Sequence, residues 1–457
     1  MTHLFHPSIL REYDIRGIVG ETLSTADAEA IGRAFGGLVI GQGGKLVCVG
    51  YDGRLSSPEL EGSLVAGLLS TGLTVHRVGR GPTPMLYYAT HVMQADGGIM
   101  VTGSHNPPDH NGFKMVLHGK PFFAEQIQEL GRLAARGAGA GRSGGGAVDT
   151  PVMDDYVRRL AADYHGRRPL TVVWDAGNGA TGEVMSRLAD VLPGTHLLLN
   201  AEIDGTFPAH HPDPTEPENL VQLIDAVVQH RADLGIAFDG DGDRIGVVDP
   251  KGRVLWGDQM MMLLAEEVLA AQPGAMVLAD VKASQALFDH IAALGGRPVM
   301  CRTGHSLIKT RMAETGAPLA GEMSGHLFFA DRYYGFDDAL YAAVRFISLV
   351  ANWPDTDLAE RYDRLPRLHN TPELRIPCAD DRKFAVVAEV KTRLAAAGAE
   401  VCAVDGVRVG TADGWWLLRA SNTQAVLVAR CESGTPDGLQ RLRRILSEQL
   451  AASGLDY

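Results

Sequence analysis

Leu234-Gly235-Ile236-Ala237-Phe238-Asp239-Gly240-Asp241-Gly242-Asp243-Arg244 is the stretch on which the fold class turns. Its first five residues are apolar without alternation, the pattern of a strand buried on both faces. Its last six place carboxylates at every second position, with glycines between. Such carboxylates repel one another unless a cation binds, and glycine lets the backbone curl until all three oxygens converge. An oxygen-only donor set suits a hard ion such as magnesium. An EF-hand is excluded, because Arg244 stands where that loop needs glycine and Pro250 where it needs glutamate. The remaining alternative is a solvated acidic turn, disfavoured by its place at a strand end rather than within a charged run.

Working outward, the same succession of strand and loop recurs. The apolar run Gly97-Gly98-Ile99-Met100-Val101 leads into Thr102-Gly103-Ser104-His105-Asn106-Pro107. A hydroxyl with a histidine beside it, at a strand end, is a place to hold a transferable group; an ordinary turn is the competing reading. Leu46–Val49, Leu170–Trp174 and Met276–Ala279 read as further strands, and 57–71 has helical spacing. Continuous apolar strands between helices predict α/β units whose sheets are covered on both faces. Past residue 369 the pattern changes. Leu374–Ile376, Val401–Val404, Trp415–Leu418 and Ala425–Val428 follow closely, with a helix over 437–451, which predicts an α+β unit with antiparallel strands. The glycine-rich run Ala135–Ala147 reads as a linker. With the turn at Asp249–Gly252 and a change near 362–369, it divides the chain into 1–147, 148–250, 251–366 and 367–457. Three of these units are alike in pattern, but the likeness is too weak to establish a repeat.

Bulk properties narrow the function. A chain of 457 residues suits several domains, and 45% hydrophobic with 21% charged residues is a globular balance. The net charge of −13 argues against nucleic acid or an anionic membrane as partner. A phosphorylated substrate stays compatible if Arg, Lys and His cluster locally. No run approaches the ~18 apolar residues of a membrane span, and the N-terminus lacks the basic-then-apolar pattern of a signal peptide. Cys48, Cys301, Cys378, Cys402 and Cys431 are scattered with no CxxC pair, so free thiols in a reducing cytoplasm are expected.

Three more loops carry mixed polar chemistry. Gly321-Glu322-Met323-Ser324-Gly325-His326 offers the donors and acceptors that adjacent sugar hydroxyls need, or is a helix-cap region. Arg419-Ala420-Ser421-Asn422-Thr423 suits a phosphate group, or is a polar hairpin turn. Arg11-Glu12-Tyr13-Asp14-Ile15-Arg16-Gly17 is too charged for a core strand and reads as a surface turn or as the lining of an anion-binding cleft. A hard cation beside Ser104 suggests phosphoryl chemistry, with Arg244 able to pair with the same phosphoryl group.

Taken in order, these motifs resemble the α-D-phosphohexomutase family over essentially the whole chain. Gly325–Phe329 running on to Tyr334-Gly335-Phe336-Asp337-Asp338 is similar to its bacterial phosphomannomutase/phosphoglucomutase branch. The resemblance implies three α/β domains with mixed sheets and a C-terminal TBP-like α+β domain around a central active-site cleft. It implies a phosphoserine at Ser104, and Mg2+ held by Ser104, Asp239, Asp241 and Asp243. Glu322, Ser324 and His326 would read the sugar, and Arg419, Ser421, Asn422 and Thr423 would hold the phosphate not being transferred. Tyr13, Arg16, His105, Asn106, Lys114, Arg244, Lys282 and His305 also match active-site positions. Ser104 would pass its phosphoryl group to a mannose or glucose phosphate, making a hexose 1,6-bisphosphate that turns end over end and returns its other phosphate. Lys114 and His326 would move the proton, helped by His105 and Arg16, and a hinge near 362–369 would let the intermediate turn. A cytoplasmic monomer is expected. Two positions depart from the family pattern: Gln424-Ala425 stands where Glu-Pro is usual, and Ala420 where Pro is frequent. Met323 sets the chain apart from glucosamine-type mutases, which carry Gln there. The other classes to weigh are a metal-dependent phosphatase, disfavoured by a second phosphate site it would not need, and a binding protein without chemistry, disfavoured by the retained Ser104, aspartates and Lys114.

Overall fold

The computed structural model describes residues 2–137 and 144–455. Among the described residues four sheets form in succession along the chain, and the first three are built alike. In the first, Leu46–Tyr51 pairs in parallel with Thr74–Arg80 on one side and Gly97–Val101 on the other. The chain then turns through the serine loop and returns antiparallel as His110–Leu117. In the second, Leu170–Asp175 lies between Gly194–Leu199 and Leu234–Phe238, both parallel, and Ile245–Val248 returns antiparallel after the carboxylate loop. In the third, Met276–Asp280 lies between Arg297–Cys301 and Leu319–Gly321, and Leu327–Phe329 returns after the Glu322 loop. The repeat that the sequence left undecided is therefore present as topology: each module runs strand, strand, strand, site loop, antiparallel strand, with the same spatial order. Each loop leaves the carboxyl end of a parallel strand, where open α/β sheets bind ligands.

The fourth sheet is antiparallel throughout. Its hairpin Gly414–Ala420 and Val426–Ser433 carries the Arg419–Thr423 segment at the bend. Alternation along it is strict. Trp416 and Leu418 face helices Asp380–Ala396 and Pro436–Ala451, while Trp415 and Leu417 pack on Val281 of the third unit. The strand expected over Val401–Val404 pairs only at Val401–Cys402. The chain turns away at Gly406, whose φ of 79° is left-handed, and Asp405 is spent on binding Arg419. Of the predicted linker, residues 138–143 lie outside the described residues; beyond them Gly146–Asp149 adds a parallel strand to the edge of the first sheet.

One core cluster ties the first three units together, from Leu86 and Tyr88 through Trp174 and Phe238 to Leu263 and Phe346. Helix Ala339–Asn352 is buried on every side from Ala339 to Ala351, being apolar on most of its surface, and its buried Arg345 pairs with Asp331 at 2.9 Å. Asp338 caps it, accepting from the Tyr341 amide at 2.9 Å. Among the described residues no helix is long and apolar enough to cross a membrane. All five cysteines are free, and all but the half-buried Cys402 are buried.

Candidate active site

The serine loop is held from behind. Asp52 and Arg54, just past the strand Leu46–Tyr51, are fully buried. Arg54 donates to the carbonyl oxygens of Ser104 (2.8 Å), Asn106 (2.6 Å), His110 (2.9 Å) and Pro107. Asp52 accepts from the Gly103 amide at 3.0 Å and pairs with Arg54 at 3.2 Å. Arg16 adds bonds to the Gly103 carbonyl at 2.6 Å and to Asn106 Oδ1 at 2.8 Å. So gripped, Ser104 adopts a φ of 49°, a conformation that non-glycine residues hold only when their surroundings impose it. Its hydroxyl donates to Asp239 Oδ2 at 3.0 Å.

The carboxylates converge as the spacing requires. Ligand atoms of Asp239, Asp241 and Asp243 lie within 4.8 Å of one another, all buried. Lys114 Nζ donates to Asp241 at 2.7 Å and to Asp243, and the Thr83 hydroxyl donates to Asp241 at 2.5 Å. Burial pushes Asp239 well above the usual carboxylate range, reinforced by Asp243 and Asp241. Burial would raise Asp241 too, but Lys114 and the Thr83 hydroxyl outweigh it and hold that carboxyl low. Asp241 Oδ1 and Asp243 Oδ1 are buried with no hydrogen-bond partner. Three converging carboxylates, two of them with an unspent oxygen, beside a serine hydroxyl fit a hard divalent cation.

The third loop closes on the second. Arg244 Nε donates to His326 Nε2 at 3.0 Å, and His326 Nδ1 lies 3.6 Å from Asp243. His305 stacks on His326, with ring centroids 5.5 Å apart. Burial drives the His305 imidazole well below its usual pKa, with Lys309 adding to the effect. Glu322 accepts from the Gly304 amide at 2.6 Å and from the Ser324 hydroxyl at 3.0 Å. Gly304 sits at φ 133°, and a Cβ there would meet the Tyr13 ring at 2.6 Å, so only glycine lets Tyr13 lie so close. His105 lies 3.5 Å from Asp213; burial and Arg244 depress its pKa, and Asp213 is held down to about 2, the nearby His105 and Arg244 outweighing burial.

The Arg419 loop joins this arrangement through Tyr13. The Tyr13 hydroxyl donates to the Thr303 carbonyl at 2.9 Å and accepts from Asn422 Nδ2 at 2.6 Å. It therefore touches the first, third and fourth units at once, and burial pushes its pKa up to about 12. Arg419 donates to Asp405 at 2.8 Å, and Ser421 Oγ accepts from the Thr423 and Gln424 amides at 3.4 and 3.2 Å. Lys282 pairs with Glu373 at 2.9 Å, joining the third unit to the fourth. A line of contacts thus runs from Ser104 through Asp239, Asp243, His326, His305 and Tyr13 to Asn422. The sequence-derived residues gather along it or beside it.

Arg54, Thr83, Asp213, Lys309 and Asp337 were not found from sequence as parts of this site. Asp52 and Arg54 carry a readable signal, since charged residues directly after a buried strand mark the ligand-binding edge of an α/β sheet. Asp337 stands in the Tyr334–Asp338 motif, which by itself assigns it no role, and Thr83 and Lys309 have no signal, because they lie on helices whose faces only the packing defines.

Residues 7–141, 154–252, 256–368 and 373–449 match, in order, the phosphoglucomutase/phosphomannomutase alpha/beta/alpha domains I, II and III and the C-terminal domain. The chain is 45% identical to a Pseudomonas aeruginosa phosphomannomutase/phosphoglucomutase, over 97% of this chain and 96% of that one. It is 42% identical to a Neisseria gonorrhoeae phosphoglucomutase, over 95% of each. A crystal structure of a phosphoglucomutase/phosphomannomutase family protein from Burkholderia thailandensis superposes with a TM-score of 0.93 at 43% identity, covering 99% of this chain and 98% of that one.

Proposed function

Because the chain belongs to the phosphoglucomutase/phosphomannomutase family, we propose that it interconverts the 1- and 6-phosphates of mannose and glucose through a phosphoserine at Ser104. The observation that carries this reading is the Ser104 hydroxyl, held at φ 49° and directed at Asp239 Oδ2 3.0 Å away. In the proposed step a sugar hydroxyl oxygen bonds to the phosphorus on Ser104 as the bond from phosphorus to Ser104 Oγ breaks. Lys114 and His326 are the buried candidates for the proton transfers, with His105 and Arg16 beside the serine loop. His326 Nε2, released as Arg244 turns to the phosphoryl group, would take the sugar hydroxyl's proton. The Lys114 ammonium, kept charged against burial by Asp241 and Asp243, would give one to the departing Ser104 Oγ. The product is a hexose 1,6-bisphosphate. It turns over and gives its other phosphoryl group back to Ser104, the protons returning by the same route.

Ser104, Asp239, Asp241 and Asp243 are the residues that would hold Mg2+, whose charge on a phosphoryl oxygen eases transfer. Arg244 would pair with that phosphoryl group. Glu322 and Ser324, with His326 and His305, would read the sugar hydroxyls. Arg419, Ser421, Asn422 and Thr423, with Tyr13 and Lys282, would hold the second phosphate, and Asn106 would line the entry to Ser104. The moving body in this reading is the fourth unit, residues 367–457, hinged near 362–369, against the first three, 1–147, 148–250 and 251–366, which share one core cluster. One sheet and one site loop in each unit support a four-part division, although the strand Gly146–Asp149 pairs with the first sheet and Val254–Leu255 with the second, across or just past those bounds. A cytoplasmic location fits the free cysteines.

Mannose 1-phosphate, magnesium and a trace of hexose 1,6-bisphosphate test the proposal. Mannose 6-phosphate is the expected product. Free phosphate would mean a phosphatase, and no turnover would mean a binding protein. The Ser104→Ala variant should lose at least ~10⁴-fold in kcat; near-normal turnover would overturn the assignment.

A further inference from the structure

A buried carboxylate outside all four loops stands behind the histidines. Asp337 directly precedes the helix cap Asp338, and its backbone bridges to Phe328, two residues beyond His326. Its two oxygens face different partners. Oδ1 accepts from Lys309 Nζ at 2.8 Å. Oδ2 lies 3.2 Å from His326 Nδ1 and 3.5 Å from His305 Nδ1. Burial would raise the Asp337 carboxyl, but Lys309 and the two histidines outweigh it and keep it an anion.

The opposite edge of the His326 ring settles where its proton sits. Arg244 Nε–H donates to His326 Nε2 at 3.0 Å, and a guanidinium has no lone pair to offer. Nε2 is therefore an acceptor, which leaves Nδ1 as the ring's donor position, and the nearest carboxylate oxygen to it is Asp337 Oδ2 at 3.2 Å, ahead of Asp243 Oδ1 at 3.6 Å. We infer that Asp337 is a positioning residue for phosphoryl transfer: it holds His326 in the Nδ1–H form and in register with Arg244, while Lys309 dictates which oxygen does so. The inference rests on the reading that His326 serves the transfer. A second cation shared by Asp243, His326 and Asp337, whose ligand atoms lie within 4.8 Å of one another, is opposed by Lys114, Arg244 and Lys309, which already bring positive charge to those three residues.

The isosteric Asp337→Asn variant separates orientation from bulk. Lys309 can only donate, so the carboxamide oxygen stays with Lys309 and the NH2 turns toward the imidazoles. His326 must then accept at Nδ1 and carry its proton on Nε2, where it collides with the Arg244 N–H. Nitrogen-15 spectra of histidine-labelled protein, with the His326 signals identified by their loss in His326→Gln, should show the Nδ1–H form in the wild type and its disappearance in Asp337→Asn. The variant's kcat should fall at least ~10-fold with KM within ~3-fold, as for a carboxylate that sets a catalytic tautomer. Adding Lys309→Met frees the amide to rotate and should restore the Nδ1–H signal and part of kcat. An unchanged tautomer in Asp337→Asn, or kcat within twofold of wild type, overturns the inference. If the variant does not fold, the wild-type spectrum decides, since an Nε2–H ring contradicts it outright. The tautomer is read without turnover, so a wild type inactive on hexose phosphates but showing Nδ1–H would sink the mutase reading and leave the orientation intact.

Discussion

The Arg54 guanidinium reaches four backbone carbonyls of the serine loop while pairing with Asp52, and it is 1% exposed. Its planar fork allows this; an ammonium offers three donors from a single point. Arg54→Lys should therefore leave buried carbonyls without donors and cost about 3 kcal/mol of stability. Urea unfolding measures that loss. Single-turnover transfer should slow along with it, because the same carbonyls set the direction of Ser104; a variant as stable and as fast as wild type would remove Arg54 from this role. The residues legible in the sequence were those whose chemistry is local, such as carboxylates separated by glycines or a serine beside a histidine. Asp337 and Lys309 lie 28 positions apart, and neither has a neighbour in sequence that hints at the other.

Loops come next in scale, and here the decisive feature is how closely two of them approach. A Cβ on Gly240 would lie 2.3 Å from the Ser104 carbonyl oxygen, a backbone atom with nowhere to retreat. Gly240→Ala should therefore push the serine loop off the carboxylate loop. We expect a stability loss of about 1–3 kcal/mol and a drop in kcat of roughly 10²-fold, the usual consequence of an ångström-scale misplacement. Kinetics with the variant fully folded provide the check, and unchanged kcat would show that the two loops need not touch. Strands were the readable elements. Gly97–Val101 and Leu234–Phe238 were predicted residue for residue, because a run buried on both faces is apolar throughout. Val401–Val404 was over-read for the same reason: its apolar residues continue past Cys402, where pairing ends, up to Asp405 and Gly406, which turn the chain toward Arg419.

Across the whole molecule, the fourth unit is attached by polar contacts as well as by Trp415 and Leu417. Arg408 donates to the carbonyls of Val281 and Ala283 at 2.7 and 2.8 Å, and Lys282 meets Glu373. Lys282 holds the Glu373 carboxyl down to about 2 from an ordinary 4.5. A carboxyl depressed on folding stabilises above its unfolded pKa, and that stability is lost as pH falls through the folded value. Glu373→Gln should thus cost about 2 kcal/mol at pH 7, with the gap to wild type closing between pH 4.5 and 2. Unfolding curves across that range test it; a gap independent of pH would mean that the ion pair is not the cause.

By itself the sequence determined the α/β and α+β classes, the four loops and the family they belong to, because buried strands and ligand loops write their requirements into consecutive residues. Only the tertiary structure decided that three units repeat one topology, that Tyr13 links three of them, and that Asp337 stands behind His326. Topology depends on strand order rather than residue identity, and contacts between units depend on which faces meet. Neither leaves a local mark in the chain.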